Sequence, residues 1–416
     1  MPLSPAYRPD TRFTDLGPDF ADPVAPAQFP KTILRFRNQR AAASVGLERL
    51  TTAEWIAHFG RFEALPGAQE NALALRYHGH QFRVYNPDLG DGRGFLFAQL
   101  REKPPAARLL DIGTKGSGLT PWSRDGDGRL TLKGGVREVL ATAMLEALGV
   151  PTSRSLSLIE TGEALMRGDE PSPTRSAVLA RLSWSHIRFG SFQRHAAEGR
   201  ADRVGALLGH VIGVYFPALA GVDNPAAALL AEVVQRCARL VAAWMAAGFV
   251  HGVLNTDNMN ITGESFDYGP YRFLPRNDPN FIAAYFDHSG LYSFGRQPEA
   301  VFWNLQQLAG ALTLASDPEP LMAALNGFSN AYRAELSAAM VGRLGLKSQG
   351  GEADIALANA AFRALAEGGE ALRWEPFFYD WFGGVSARAL AGPRATLYGG
   401  PAFSAFRSIL EGRVAS

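Results

Sequence analysis

The chain carries a single cysteine, Cys237, in 416 residues. One thiol cannot make an internal disulfide, a cysteine-rich zinc site or a redox pair. It lies in an apolar helical run around 233–245, which reads as a buried structural position. Lysine is scarce as well: five positions carry it, at 31, 103, 115, 133 and 347. Neither sign of charge dominates, since 41 basic and 40 acidic residues leave a net charge of +1. That balance gives no electrostatic case for nucleic acid as a partner. Long clean apolar runs are missing. Residues 204–222 are uncharged, yet Gly205, Gly209, His210, Gly213, Pro217 and Gly221 interrupt them, so a buried helix breaking near Pro217 is expected in place of a membrane span. Met1-Pro2-Leu3-Ser4-Pro5 has no basic or apolar leader pattern. No membrane partner and a cytoplasmic location are the expectation. Walker A, Gly-x-Ser-x-Gly and His-Glu-x-x-His patterns are all lacking.

What remains is an ordinary globular composition, 47% hydrophobic. The length suits two or three domains, or one two-lobed domain. Residues 1–40 are proline-rich and read as an irregular arm. Helices are expected at 50–60 and 67–76, and strands at 95–100 and 109–112. Val136, Leu140, Met144 and Leu148 recur at helical spacing, so 134–148 reads as a helix ending at Gly149. Strands are expected at 155–160 and 177–182, and then helices at 200–216, 226–247, 299–314, 319–345 and 351–367. The segment after Trp374 has no clear assignment. Gly-rich strands with one helix, then a helical half, give an α+β, two-lobed, protein-kinase-like fold. Its mixed α/β N-terminal lobe with the arm spans 1–183, and its mainly helical C-terminal lobe spans 184–416.

The most informative run is His251-Gly252-Val253-Leu254-Asn255-Thr256-Asp257-Asn258-Met259. It has the form of a kinase catalytic loop, His-x-Asp-x-x-x-x-Asn, in which the Asp accepts the substrate's proton and the Asn holds magnesium. Five positions before Asn258 stands Val253, which can accept no proton. Asp267-Tyr268-Gly269 follows in the place of the Asp-Phe-Gly metal motif. Asn258 and Asp267 are therefore metal candidates, and Asp257 is a new carboxylate beside one of them. Taken alone, Asp257 reads as a helix or loop cap before it reads as a base, and Asp-x-Gly as a turn.

Three further constellations fit phosphate chemistry. Lys115 after a strand, with Glu138 on the next helix, matches the lysine that holds phosphates and the glutamate that orients it. Arg181 and Arg188 flank a strand end and could clamp a phosphate. Gly90-Asp91-Gly92-Arg93 and Asp125-Gly126-Asp127-Gly128-Arg129 are Gly-rich turns that allow close backbone approach, although Asp-Gly is also the ordinary hairpin signal. His78-Gly79-His80 reads as a turn.

With these motifs in order, the chain resembles the selenoprotein O family of pseudokinase protein adenylyltransferases. The stretches that carry the likeness are Tyr77-His78-Gly79-His80-Gln81-Phe82, Leu89-Gly90-Asp91-Gly92-Arg93-Gly94, Thr120-Pro121-Trp122-Ser123-Arg124, Ser185-His186-Ile187-Arg188-Phe189-Gly190, the 248–259 loop, and Phe266-Asp267-Tyr268-Gly269-Pro270. Gln297-Pro298 and Trp303-Asn304-Leu305 continue it. It spans roughly residues 70–310. The resemblance implies that ATP binds in a flipped orientation. AMP then passes to Ser, Thr or Tyr hydroxyls of protein substrates, with Mg2+ or Mn2+ present and pyrophosphate released. It implies Asp257 as proton acceptor, Asn258 and Asp267 as metal ligands, and Lys115, Arg181 and Arg188 on the buried phosphates. Gly90, Gly92, Arg93, Asp127 and Gly128 would line the nucleotide site, with Glu138 paired to Lys115. Val250 stands where the family carries a cysteine, and the region after about 370 departs from the pattern. Two rivals stay open on the residues: a small-molecule phosphotransferase, which needs an Asp at 253, and a non-catalytic nucleotide-binding pseudokinase, which does not need Asp257.

Overall fold

A computed structural model describes residues 3–416. Nine of the eleven strands in the first 183 residues build one antiparallel sheet. Its path runs Ala21–Val24, Ala72–Leu75, Leu96–Arg101, Leu109–Lys115, Thr174–Ser183, Arg154–Leu165, Ile33–Arg37, with Pro9–Asp10 and Leu130–Thr131 attached at its side. Leu109–Lys115 lies near the middle and is buried at every position, as a strand covered on both faces must be. Alternation sorts the side chains. Val178, Ala180 and Leu182 join Trp55, Phe59, Phe95 and Ile112 on one face. Ala177 and Leu179 join Leu130 and Leu158 on the other, beneath Leu132 and Val139 of the helix Leu132–Ala147. Helix Thr52–Gly60 is fixed at its start by a capping box of Thr51 and Glu54. It is also tied to the sheet by Trp55, whose indole N–H donates to Ser157 Oγ at 2.8 Å.

Two expectations fail here. Residues 1–40 are no loose arm: they supply three strands, including both ends of the sheet's path. Pro23 is tolerated because an edge strand has one unpaired side. Residues 72–75 are a strand, where a helix was expected at 67–76; the run Ala-Leu-Ala-Leu packs as readily in either form, and pairing with Ala21–Val24 decides it.

From residue 189 onward the described chain is mainly helical. Helix Pro225–Ala246 forms the axis, started by Asn224, whose side chain accepts from Ala227 N at 3.0 Å. It buries Leu229, Leu230, Val233, Val234, Leu240 and Val241, and Cys237 is fully buried among them. Each such side chain stabilises the fold by about 1.5–3 kcal/mol relative to exposure. Ala201–Tyr215 ends at the expected break before Pro217. The helix expected over 319–345 divides into Pro318–Asn326 and Phe328–Arg343 around Gly327. Past Trp374 the chain forms Trp374–Trp381, Ala387–Ala391 and Pro401–Leu410, packed on Gly351–Glu367 in a second apolar cluster. No helix of the described residues is long and apolar enough to cross a membrane.

Candidate active site

The axial helix delivers the chain into the segment 249–273. Two-residue strands Phe249–Val250 and Arg272–Phe273 pair across its base. Helix Gln297–Leu312 then grips it with buried polar side chains. Gln297 accepts from His251 N at 2.9 Å and donates to Phe249 O at 2.9 Å, and Asn304 donates to Leu254 O at 2.8 Å. Buried amides that meet backbone groups in this way hold a loop in one conformation. His251 is buried, and burial lowers its pKa, so it stays neutral. Its Nε2 lies 3.0 Å from Phe266 O, one residue before Asp267. Gln297 and Asn304 entered the sequence reading only through the resemblance, because an isolated amide on a helix carries no visible role.

A cavity of about 660 Å³ opens between the sheet and this segment. Gly90, Gly92, Arg93, Lys115, Asp127, Gly128, Arg181, Arg188, Asp257, Asn258 and Asp267 all line it. Glu138 lies behind the wall, buried and paired with Lys115 Nζ. All the sequence-derived candidates therefore fall in one place. The lining also includes Asp91 and Arg129 of the Gly-rich turns, Tyr77 and Arg124 of the stretches that carry the resemblance, and Arg167, which the sequence reading did not name.

The floor of the cavity is a charge cluster around Asp267. Both its carboxylate oxygens are taken: Arg181 Nη1 pairs with Oδ1 and Arg188 Nη1 with Oδ2, while Lys115 Nζ stands 3.6 Å from Oδ1. Burial works against its charge, but these three cations hold its carboxyl well below the usual range. Its backbone adopts φ of +62°, a left-handed conformation that a side chain other than glycine seldom takes. Arg188 also donates to Asp257 O at 2.7 Å and reaches Asp91 Oδ1 at 3.3 Å. It thus ties the catalytic-type turn, the Asp267 corner and the Gly-rich turn together. Its guanidinium is packed between Tyr77 and Phe266, at 4.6 and 4.7 Å from their ring centres. Arg181 is oriented by His186, whose Nε2 accepts from Arg181 Nε at 3.1 Å. Gly113 makes room for that imidazole: a Cβ there would sit 2.3 Å from His186 Nε2.

Asp257 has different surroundings. It lies in the short turn Thr256–Asn258, is buried, and its Oδ1 has no hydrogen-bond partner. Burial pushes its carboxyl from the ordinary 3.8 to about 6, with Arg188 pulling the other way. The turn is braced by a hairpin of Gly79–Gln81 and Val84–Asn86. His80 N donates to Thr256 Oγ1 at 2.7 Å, and Phe82 N to Asn255 Oδ1 at 3.1 Å. Gly79 lets the two come close: a Cβ would lie 3.1–3.2 Å from Thr256 and Asp257 and would make them give by a few tenths of an ångström. Gly79 and His80 of the expected turn therefore lie in a strand of this brace.

The Gly-rich turns have a further reason for their glycines. A Cβ at Gly90 would sit 2.3 Å from the Trp122 ring. Gly128 has φ of +68°, with Gly118 O at 2.3 Å from any Cβ. Ser123 Oγ and Thr120 Oγ1 donate to Gly92 O and Asp91 O, each at 2.6 Å, and join the two turns. Asp127 is exposed and bridges to Arg167 at 2.8 Å on the rim.

A divalent ion beside phosphates asks for hard oxygen donors. Asn258 and Asp267 supply them in this cavity, and the unpartnered Asp257 Oδ1 adds an oxygen nearby. No group of three or more His, Cys, Asp or Glu side chains able to hold a metal alone occurs among the described residues. An ion here would complete its shell with the ligand's own oxygens and water.

Comparison with known proteins bears on the same residues. The family model described as "Protein adenylyltransferase SelO" matches residues 5–382, a wider span than the motifs alone cover. The chain is 52% identical over 350 residues to the protein nucleotidyltransferase YdiU of Synechococcus elongatus, covering 84% of this chain and 69% of that one. With the protein of the same name from Gloeobacter violaceus it shares 54% over 340 residues, or 81% and 69% of the two chains. With that of Vibrio cholerae it shares 40% over 338 residues, or 81% and 68%. A match of this extent, running through the loop, the Asp267 corner and the Gly-rich turns alike, places the chain in the SelO family of protein adenylyltransferases.

Proposed function

We propose that this chain moves AMP from ATP to Ser, Thr or Tyr hydroxyls of protein substrates, with Asp257 as the general base. The observation that carries this reading is the buried, unpartnered Asp257 carboxylate beside Asn258, in a cavity where Val253 takes the place of a kinase base. The acceptor hydroxyl gives its proton to Asp257, and its oxygen attacks the α-phosphorus. The bond from the α-phosphorus to the bridging oxygen breaks, and pyrophosphate leaves. A carboxyl that titrates near 6 is matched to such a role at neutral pH.

Lys115, Arg181 and Arg188 would hold the β- and γ-phosphates of a flipped nucleotide, with Glu138 orienting Lys115. Gly90, Gly92, Arg93, Asp127 and Gly128 would line the nucleotide. Mg2+ or Mn2+ held by Asn258 and Asp267 would supply charge neutralisation on the phosphates. Arg181 and Arg188 both pair with Asp267. Phosphate oxygens would draw these guanidinium groups off and free the carboxylate. The whole forms a kinase-like pair of lobes, 1–183 and 184–416, with the cavity between them.

The test is label transfer from ATP carrying ³²P at the α- or the γ-position, with Mg2+ or Mn2+ and a protein lysate. Label on protein from the α-position alone is expected. Transfer from the γ-position would make the chain a kinase. Val253→Asp is expected to leave γ-transfer absent, since the γ-phosphate would stay buried under Lys115, Arg181 and Arg188.

A further inference from the structure

Downstream of Asp267 the chain crosses residues 276–293 and exposes a group of large apolar side chains. Tyr285 is 76% exposed, and Ile282 and Phe286 are each 41% exposed. Their backbone is firmly held. Asp287 caps the segment by accepting from Leu291 N at 2.9 Å and Tyr292 N at 2.8 Å. Phe294 N donates to Phe281 O at 3.0 Å, and Gly295 N to Pro279 O at 2.8 Å. Ala284, between the exposed residues, is fully buried. Exposed apolar groups on a fixed loop are a pre-organised contact surface.

This segment packs against the turn that carries Asp257. Phe286 packs on Phe82 at 5.9 Å between ring centres, and Phe82 on Tyr292 at 5.0 Å. Phe82 N and Tyr292 OH both donate to Asn255 Oδ1, at 3.1 and 2.8 Å. Ala283 and Ala284 abut Gly252, next to Val253 on the cavity wall. Among the neighbouring charges, Glu299 bridges both Arg83 and Arg296, and Asp287 is buried and accepts from backbone N–H groups. The three exposed side chains therefore offer apolar contact.

We infer that Ile282, Tyr285 and Phe286 form the docking platform for the acceptor protein, favouring a segment with an aromatic or branched aliphatic residue near the target hydroxyl. The inference rests on the protein-acceptor reading above. Three side chains are far fewer than the roughly 20–30 residues a side of a stable interface. That suits a short segment bound transiently and not a second copy of this chain.

The test uses fluorescein-labelled dodecapeptides, each with one Ser in an Ala/Gly/Lys background. One set has Phe or Leu placed at successive positions around the Ser, and a control set has none. Binding is read by polarisation and AMP transfer by α-label, for the wild-type chain, Tyr285→Ser, and Tyr285→Ser with Phe286→Ser. The wild type is expected to bind an apolar-flanked peptide at least tenfold tighter than the controls. Both variants are expected to lose most of that preference, with ATP affinity within twofold of wild type. Equal binding of both peptide sets, or a preference that survives in the exposed-site variant Tyr285→Ser, overturns the platform. If the preference appears and disappears as expected while the wild type transfers no α-label, the platform stands and the adenylyl-transfer reading falls.

Discussion

Asp257 and Asp267 share one cavity and one segment of chain, yet their surroundings drive them apart. Asp267 is crowded by Arg181, Arg188 and Lys115 and keeps its charge despite burial. Asp257 is buried with an unpartnered oxygen, and its carboxyl rises to about 6. Two carboxyls with such separated affinities for a proton can divide the work: one stays an anion to hold cations, and the other can take a proton and return it. The difference is built by the neighbours, because the side chains themselves are the same.

The comparison breaks most severely at Asp267. On the proposed reading, Asp267→Asn is expected to cut AMP transfer by more than about 10³-fold, since it would remove the one charged metal ligand and disorder the side chains proposed to hold the phosphates. It should also destabilise the ligand-free protein by about 3–5 kcal/mol, because three buried cations lose their shared partner. Calorimetry with ATP and Mn2+, together with urea unfolding, would check both parts. Normal ion-dependent ATP affinity would remove Asp267 from the role.

Asp257→Ala is the next step down. Transfer is expected to fall by about 10²–10⁴, the usual worth of a general base, with ATP affinity within a few-fold. Single-turnover kinetics separates the two. Near-normal transfer would leave the cavity without its proton acceptor and favour a different base.

A third expectation concerns the ligand-free protein and pH. The folded Asp257 carboxyl titrates near 6, above its ordinary 3.8. Between those values the folded state holds the extra proton, so stability falls as pH rises through about 4 to 6 and the penalty is complete above that window. Asp257→Asn should abolish this component. The difference in unfolding free energy between variant and wild type should shift toward the variant by on the order of 2–3 kcal/mol from pH 4 to pH 7. A difference that stays level would mean that Asp257 is not strained by burial. The smallest effect is expected from Thr256→Val, which removes the acceptor for His80 N. About 1 kcal/mol of stability and less than tenfold in transfer should be lost, as read by thermal melting and the α-label assay.

Much of this site was legible in the sequence because its chemistry is local. The spacing of His251, Asn258 and Asp267 marks the metal-type loop, and the missing acid at Val253 is visible in the same window. Lys115 stands out because lysine is rare here. What the sequence did not reveal depends on contacts between distant residues. The brace from Gly79–Asn86 to Asn255 and Thr256 joins residues 173 and 176 positions apart. The grip of Gln297 and Asn304 on the loop comes from side chains whose types are unremarkable on any helix. The pairing of Arg181 and Arg188 with Asp267 joined two constellations that had been read apart. In the fold, long periodic helices such as Pro225–Ala246 were plain, whereas Ala72–Leu75 and the strands of residues 1–40 owe their form to partners far along the chain.

Those early strands set an order for assembly. The two ends of the sheet leave the ribosome first, and the strands that join them come last. Ala21–Val24 waits for Ala72–Leu75, and Ile33 waits for Glu160. Until Arg154–Leu165 and Thr174–Ser183 have been made, Ile33–Arg37 and the open side of Leu109–Lys115 lack their pairing partners. The cavity's Lys115 and Arg181 sit on adjacent central strands, Leu109–Lys115 and Thr174–Ser183. The Lys115–Arg181 side of the cavity therefore comes into being only when the sheet is completed, and a chain stalled before residue 174 would hold only the part from Ala21–Val24 to Leu109–Lys115.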